Sequence, residues 1–210
     1  MPSTKQRLVD GAMRAIREHG IAGVSARTIA AAAEVNQALV FYHFGSVDEL
    51  LAAACREATQ ARVTHYAERF AGVTSLRELL DLGRELHAEE HKLGNVSVLA
   101  QLLAGAQSDP RLADATADSL RMWTVQIEAV LTRLLKDTPV SEIADVAGLA
   151  TAISAAFVGL ELYEAVDPAG AQRALIAIEQ LAVLFEVMDE LGPVARRALR
   201  AKLSKVRRAR

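Results

Sequence analysis

Two clusters of side chains in this sequence could do chemistry. Around residue 90, His87-Ala88-Glu89-Glu90-His91 fits H-x-x-E-H. In that pattern two histidines one helical turn apart bind zinc and a glutamate acts as general base. Between Val35 and Phe44, the stretch VNQALVFYHF sets Asn36, Gln37, Tyr42 and His43 among large apolar residues. Side-chain amides can read base edges, and a phenol or imidazole suits phosphate oxygens. The first cluster would make a helical metalloenzyme, the second a reader of nucleic acid. No distal acidic ligand motif accompanies the histidines, and a Glu/His-rich helix is far more often a solvated face or a pocket rim.

The elements that must hold these groups are helices. β-Branched runs are short, Ala and Leu abound, and prolines fall at boundaries. Ser3-x-x-Gln6, Ser46-x-x-Glu49 and Ser75-x-x-Glu78 read as capping boxes, and Asp109-Pro110 and Asp167-Pro168 place an acceptor before a proline at the first helical position. The expected class is therefore all-α. Helices are predicted over 4–19, 26–33, 37–43, 47–70, 76–91, 93–107, 110–136, 141–166 and 168–190, with a basic helix after Pro193. The first carries Leu8, Val9, Ala12, Met13 and Ile16 on one stripe and closes at Gly20.

The short pair explains the amides. Ser25 caps a helix whose Ile29 and Ala30 face inward, Glu34-Val35-Asn36 makes a tight turn with Val35 as its plug, and Asn36 caps the next helix. Two short helices joined this way form a helix-turn-helix, whose second helix enters the major groove N-terminus first. Gln37 would meet a base edge, Ala38 and Leu39 a thymine methyl, and Tyr42 and His43 phosphates. The backbone amides near Val47 open the next helix and also suit an anion.

Composition fits this reading without announcing it. The 210 residues carry a formal net charge of −2, yet eight Lys/Arg and no acid follow Leu191, leaving 16 basic against 26 acidic residues in the body. Residues 1–50 hold five of each sign. A single cysteine, Cys55, excludes an internal disulfide and suits a reducing compartment. The N-terminus lacks a signal-peptide apolar region, and the longest uncharged runs, Leu93–Ser108 and Val146–Leu160, fall short of the roughly 18–20 residues of a bilayer span. The expectation is a soluble cytoplasmic protein with no membrane partner.

Over positions 4–55 the chain resembles the tetracycline-repressor-like (TetR) family of bacterial transcription factors. The resemblance rests on His19-Gly20, Val24-Ser25, Thr28-Ile29-Ala30, Val35-Asn36, Phe41-Tyr42-His43-Phe44 and Gly45-Ser46-x-x-Glu49-Leu50-Leu51. It implies a homodimer that binds a palindromic operator, with residues 1–55 as the DNA-binding domain and 56–210 as the effector-binding and dimerisation domain. Carried over by position, it makes Ser25, Arg27, Asn36, Gln37, Ala38, Leu39, Tyr42 and His43 the DNA-facing set. Two residues depart from the family pattern: Val47 stands where a lysine anchor is usual, and Phe41 where a phosphate-binding tyrosine is common.

Further expectations follow for the larger domain. Gln101, Trp123, Gln126 and Phe157 are candidate contacts for a small apolar effector, since ligand sites are mostly apolar with a few polar groups. Leu149–Leu162 is apolar almost all round and must be covered on both sides. Ser154, Val158 and Leu162, with Ile178, Leu181 and Phe185 on the following helix, would form half of a two-fold four-helix interface. No catalytic residue, metal or cofactor is required. The rivals are a metalloenzyme built on His87, Glu90 and His91, and a scaffold that kept the fold but lost DNA binding through Val47 and Phe41.

Overall fold

In a computed structural model the described residues, 2–136 and 138–189 with 192, 194, 195, 197–199, 201 and 202, form helices and no strand. The long elements are α1 (Thr4–His19), α2 (Ala26–Ala33), α3 (Ala38–Phe44), α4 (Val47–Gly72), α5 (Leu76–Lys92), α6 (Asn95–Ala106), α7 (Pro110–Leu135), α8 (Val146–Glu164) and α9 (Pro168–Asp189). Most boundaries lie within two residues of those predicted. The stretch expected as one helix over 141–166 is instead a 3-10 turn, Pro139–Glu142, followed by α8. Asp145 makes that break, because its Oδ1 accepts the Gly148 N–H at 2.9 Å and starts the helix afresh.

The caps seen in the sequence do their work through the serine side. Ser3, Ser46 and Ser75 each accept the N–H three residues on, at 3.1–3.2 Å. Glu78 turns outward to Thr74, whose N–H donates to Oε2 at 2.6 Å and whose hydroxyl donates at 2.9–3.0 Å. Those bonds, the backbone one foremost, hold the Glu78 carboxyl below the usual carboxylate range.

The chain packs as two compact units, 1–65 with 88–122 and 66–87 with 123–210. This packing division differs from a cut at residue 55, since Val98, Leu102 and Leu112 join the core of the first unit. That core gathers Leu8, Val9, Ala12, Ala15 and Ile16 of α1, Ile29, Ala30 and Ala33 of α2, Val40 of α3, and Leu50, Leu51, Ala54 and Cys55 of α4. Helices of seven and eight residues are unstable alone, so α2 and α3 persist by this packing. Small residues let α1 and α2 cross closely: a Cβ on Gly11 would lie 2.8 Å from the Ala33 Cβ.

The second unit is built on Tyr66, Phe70, Leu79, Leu82, Leu86, Val130, Leu131, Leu135 and Ala150, with Trp123, Ile153 and Phe157 packed against them. Its α8 runs through Glu161 to Glu164, so it reaches 19 residues at a mean hydropathy of 1.6 and matches a bilayer span in length and composition. The shorter uncharged run read from sequence understated it. Little of α8 is buried within the chain. Ala152, Ala155, Ala156, Gly159, Leu162 and Tyr163 are exposed, at spacings that draw one stripe along the helix, and Val166 is exposed in the turn just after it. On α9, Ala169, Arg173, Ile176, Ala177, Gln180 and Val183 are exposed in the same manner.

Candidate nucleic-acid interface

The turn between α2 and α3 is fixed from both sides. Glu34 adopts the left-handed conformation, φ 53°, and closes α2 with its own N–H on the carbonyls of Ala30 and Ala31. The Val35 N–H then returns to the Ala30 carbonyl at 3.0 Å, and the Val35 side chain packs on the core beneath. Two arginines of α1 bind the carbonyls at this end: Arg7 donates to Glu34 O at 2.7 Å, and Arg14 donates to Ala32 O. A cation at a helix C-terminus also complements the helix dipole.

At the other end of α2, Ser25 Oγ accepts the Thr28 N–H at 3.2 Å while Thr28 Oγ1 accepts the Ser25 N–H at 2.8 Å. This reciprocal cap uses Thr28, a residue the sequence reading had not enlisted for it. Asn36 Oδ1 accepts the Ala38 N–H at 2.8 Å and so tethers the first turn of α3. Gly45, at φ 78°, ends that helix by donating to Phe41 O at 2.9 Å, a conformation few side chains tolerate.

What α3 leaves outside is unusual for so short a helix. Val40 alone is fully buried, with Leu39 and Phe44 partly covered by the core. Gln37 and Ala38 are exposed at the N-terminal end, Phe41 is 50% exposed and Tyr42 81%. The Tyr42 and His43 rings meet edge to face with centroids 4.9 Å apart. Ser25 and Arg27 are exposed at the start of α2. The eight predicted DNA-facing residues therefore sit on two neighbouring short helices and the turn between them, six exposed and two, Leu39 and His43, partly covered. Two exposed aromatic rings on a well-seated helix are more readily understood as a contact surface than as core.

The remaining candidates are scattered. Gln101 lies in the first unit, where its Oε1 accepts the Ile21 N–H at 3.3 Å and the amide covers Gly20. That bond gives it a structural task, holding the 3-10 turn Ile21–Gly23 that follows α1. Trp123 borders the second core beside Tyr66 and Phe70, with centroids 5.9 and 6.3 Å away. Phe157 borders the same core and stands edge-on to His87 at 6.3 Å, and Gln126 is half-buried. A shallow cavity of about 330 Å³ in this unit is lined by Arg69, Gly72, Val73, Glu78, Asp81, Leu82 and Glu85, none of them among those candidates. Of the predicted interface residues, Leu162 is exposed while Ser154, Val158 and Ile178 are partly buried. The side chains of Leu181 and Phe185 lie outside the described residues, as does most of the basic tail.

The H-x-x-E-H residues do not converge. His87 engages Glu161 through Nδ1 and Glu164 through Nε2, the latter at 2.8 Å. Glu90 is buried, accepting from Arg62 Nε at 2.7 Å and from Asn95 Nδ2 at 2.6 Å, and His91 is exposed. Among the described residues no cluster of three His, Cys, Asp or Glu side chains could hold a metal ion. Cys55 is buried in the first core, and that burial pushes its thiol up to about 11, far from the range of a reactive cysteine.

Comparison with known proteins places this arrangement. Residues 8–54 match the model for the N-terminal region of bacterial regulatory proteins of the tetR family. The nicotine-responsive transcriptional repressor HdnoR of Paenarthrobacter nicotinovorans is 28% identical over 134 residues, covering 63% of this chain and 69% of that protein. The SCO7518 protein of Streptomyces coelicolor A3(2) superposes with a TM-score of 0.66 at 26% identity, over 86% of this chain and 99% of that one. The multidrug binding protein EbrR, solved with imidazole, gives a TM-score of 0.57 at 26% identity, over 84% and 95%. With a helix-turn-helix head seated on its own core, the chain carries a tetR-type DNA-binding region over residues 8–54 and shares the fold of known transcriptional regulators along most of its length.

Proposed function

We propose that the protein is a repressor that binds a palindromic operator as a homodimer and releases it when a small apolar effector binds. The observation that carries the reading is α3 itself, held rigidly by a core beneath and presenting Gln37, Ala38 and Tyr42 to solvent. Gln37 would read a base edge, Ala38 and Leu39 a thymine methyl, while Ser25, Arg27, Tyr42 and His43 hold the backbone and Asn36 stiffens the turn. In this division of labour residues 1–55 read DNA, and residues 56–210 bind the effector and dimerise.

The exposed apolar stripe on α8, with its counterpart on α9, supports self-association. A patch of that kind on a regulator is covered by a partner, and a second copy supplies the same stripe by two-fold symmetry. The two reading helices of such a dimer would lie about 34–36 Å apart to meet successive major grooves. Trp123 and Phe157 pack against the apolar core of the second unit, and Gln126 is half-buried on the same helix as Trp123, so these are the side chains an effector would meet. HdnoR responds to nicotine and EbrR has been solved with imidazole and with proflavin, so aromatic and heteroaromatic compounds are the first effectors to screen. The homologous regulators are not enzymes, and a cytoplasmic, DNA-associated role follows from this reading.

The test begins by recovering duplexes bound by the purified protein from a random-sequence pool. On the recovered operator, Gln37→Ala is expected to cost about 1–3 kcal/mol and to relax preference at one base pair per half-site. Equal losses on operator and random DNA would remove Gln37 from base reading. Failure to recover any duplex would remove the repressor reading altogether.

A further inference from the structure

The reading head is electrically neutral in sum, which is a poor starting point for holding a polyanion. Its five basic side chains are not equally available. Arg7 is bound to the Glu34 carbonyl, with the Glu34 carboxylate 3.9 Å away. Arg14 is bound to the Ala32 carbonyl, and Arg17 donates to Asn95 Oδ1 at 3.2 Å. Three of the five are thus occupied in holding the head together. Lys5 and Arg27 remain, both exposed. Arg27 already belongs to the DNA-facing set.

Lys5 is placed as helix stability would not place it. It lies in the first turn of α1, where a positive charge opposes the helix dipole, and that turn contains no acid. Its Nζ sits 5.6 Å from the ring centroid of Phe44, the last residue of α3. A cation over an aromatic face is held in position while its N–H donors stay open to a second acceptor. The ammonium is thereby brought to the end of α3 that carries Tyr42 and His43.

We propose that Lys5 is a backbone anchor of this head: its ammonium, resting on Phe44, neutralises one phosphate of the duplex that α3 reads. The ligand is the phosphodiester backbone, and the contact carries no sequence information. This rests on α3 being a DNA-reading helix, so the experiment separates the two. Wild type, Lys5→Gln and Lys5→Arg are titrated with a labelled random-sequence duplex of about 30 base pairs between roughly 50 and 200 mM salt. The expected result is that Lys5→Gln weakens binding several-fold at the low-salt end and lowers the slope of log affinity against log salt by about 0.9 per bound protomer. Lys5→Arg keeps the wild-type slope, and the melting temperatures of all three agree.

A Lys5 that merely staples α1 to Phe44 would lower the melting temperature of Lys5→Gln and leave the salt slope alone, and that outcome overturns the proposal. So does a Lys5→Gln protein indistinguishable from wild type in affinity and slope. If wild type itself binds no duplex at any of these salt concentrations, the reading of α3 fails first.

Discussion

The two compact units spend their apolar residues differently. In the first, Leu8, Ala12, Ile29, Val40 and Leu50 are fully covered by their own chain, and what α3 and its turn leave outside is chiefly the amides of Asn36 and Gln37 and the rings of Phe41 and Tyr42. In the second, Tyr66, Val130 and Leu131 are covered just as well, yet Leu162, Tyr163, Val166, Ile176 and Val183 are not. Val166 is 80% exposed. The first unit is complete as a folded object and incomplete as a chemical one, since its polar groups await a partner that can accept hydrogen bonds. The second is incomplete as a folded object. A fully buried large aliphatic side chain is worth about 1.5–3 kcal/mol, so four left exposed beside a tyrosine are a drive to associate.

The sharpest way to break this contrast is to spoil the α8 stripe without touching the monomer. Gly159 is suited to it, because a Cβ there meets nothing within 4 Å and the position is mid-helix. Gly159→Glu should leave helix content unchanged or raised, since glycine is the poorer helix former by about 1 kcal/mol. We expect sedimentation to show a monomer at micromolar concentration and operator affinity to fall by roughly two orders of magnitude or more, because the two heads are no longer linked. A Gly159→Glu dimer with normal affinity would place the interface elsewhere.

A smaller effect is expected from the head. Gly11→Val drives new methyl groups into Ala33 and the Ile29 carbonyl, already 2.8 and 3.0 Å from the position of a Cβ. Overpacking of this kind costs about 1–3 kcal/mol. Chemical denaturation should show the loss, with dimerisation intact at temperatures where the head still folds. An unchanged denaturation midpoint would mean that α1 and α2 are not closely packed.

The smallest effect concerns the basic tail. Eight cations after Leu191 could offset a neutral head, but three of the head's own five are tied internally and the other two face the proposed DNA surface. Deleting 196–210 is expected to leave operator affinity within about threefold, below ~0.7 kcal/mol. A tenfold drop at physiological salt would assign the tail to DNA.

The legibility of these features in the sequence follows their range. Caps and turn residues act over three or four positions, so Ser3, Ser25, Asn36 and Ser46 could be read directly, and the helix boundaries of the head with them. Asp145 is just as local, but with no proline or capping partner behind it the break before α8 leaves no distinct mark in the sequence. Long-range tasks were not legible. Nothing near Gln101 in the chain announces that its amide serves the N–H of Ile21, eighty positions away. Nor does His87 announce Glu161 and Glu164 as partners, so the histidine spacing suggested a metal site that the packing disperses. The exposed stripe on α8 lay one step beyond sequence reading for a different reason. An all-round apolar helix shows that both faces need cover but leaves open which face its own chain supplies.

Cys55, described above only as an inert thiol, has a use as a clock. It is the single cysteine of the chain and lies in the core that seats α3. Near neutral pH the closed head buries the sulfur and offers almost no thiolate, so an alkylating reagent reacts only when the head opens. Its labelling rate, divided by that of an unstructured thiol, is then the fraction of time the reading head spends open. Measured with and without DNA, that one rate would record how firmly an operator holds the head shut.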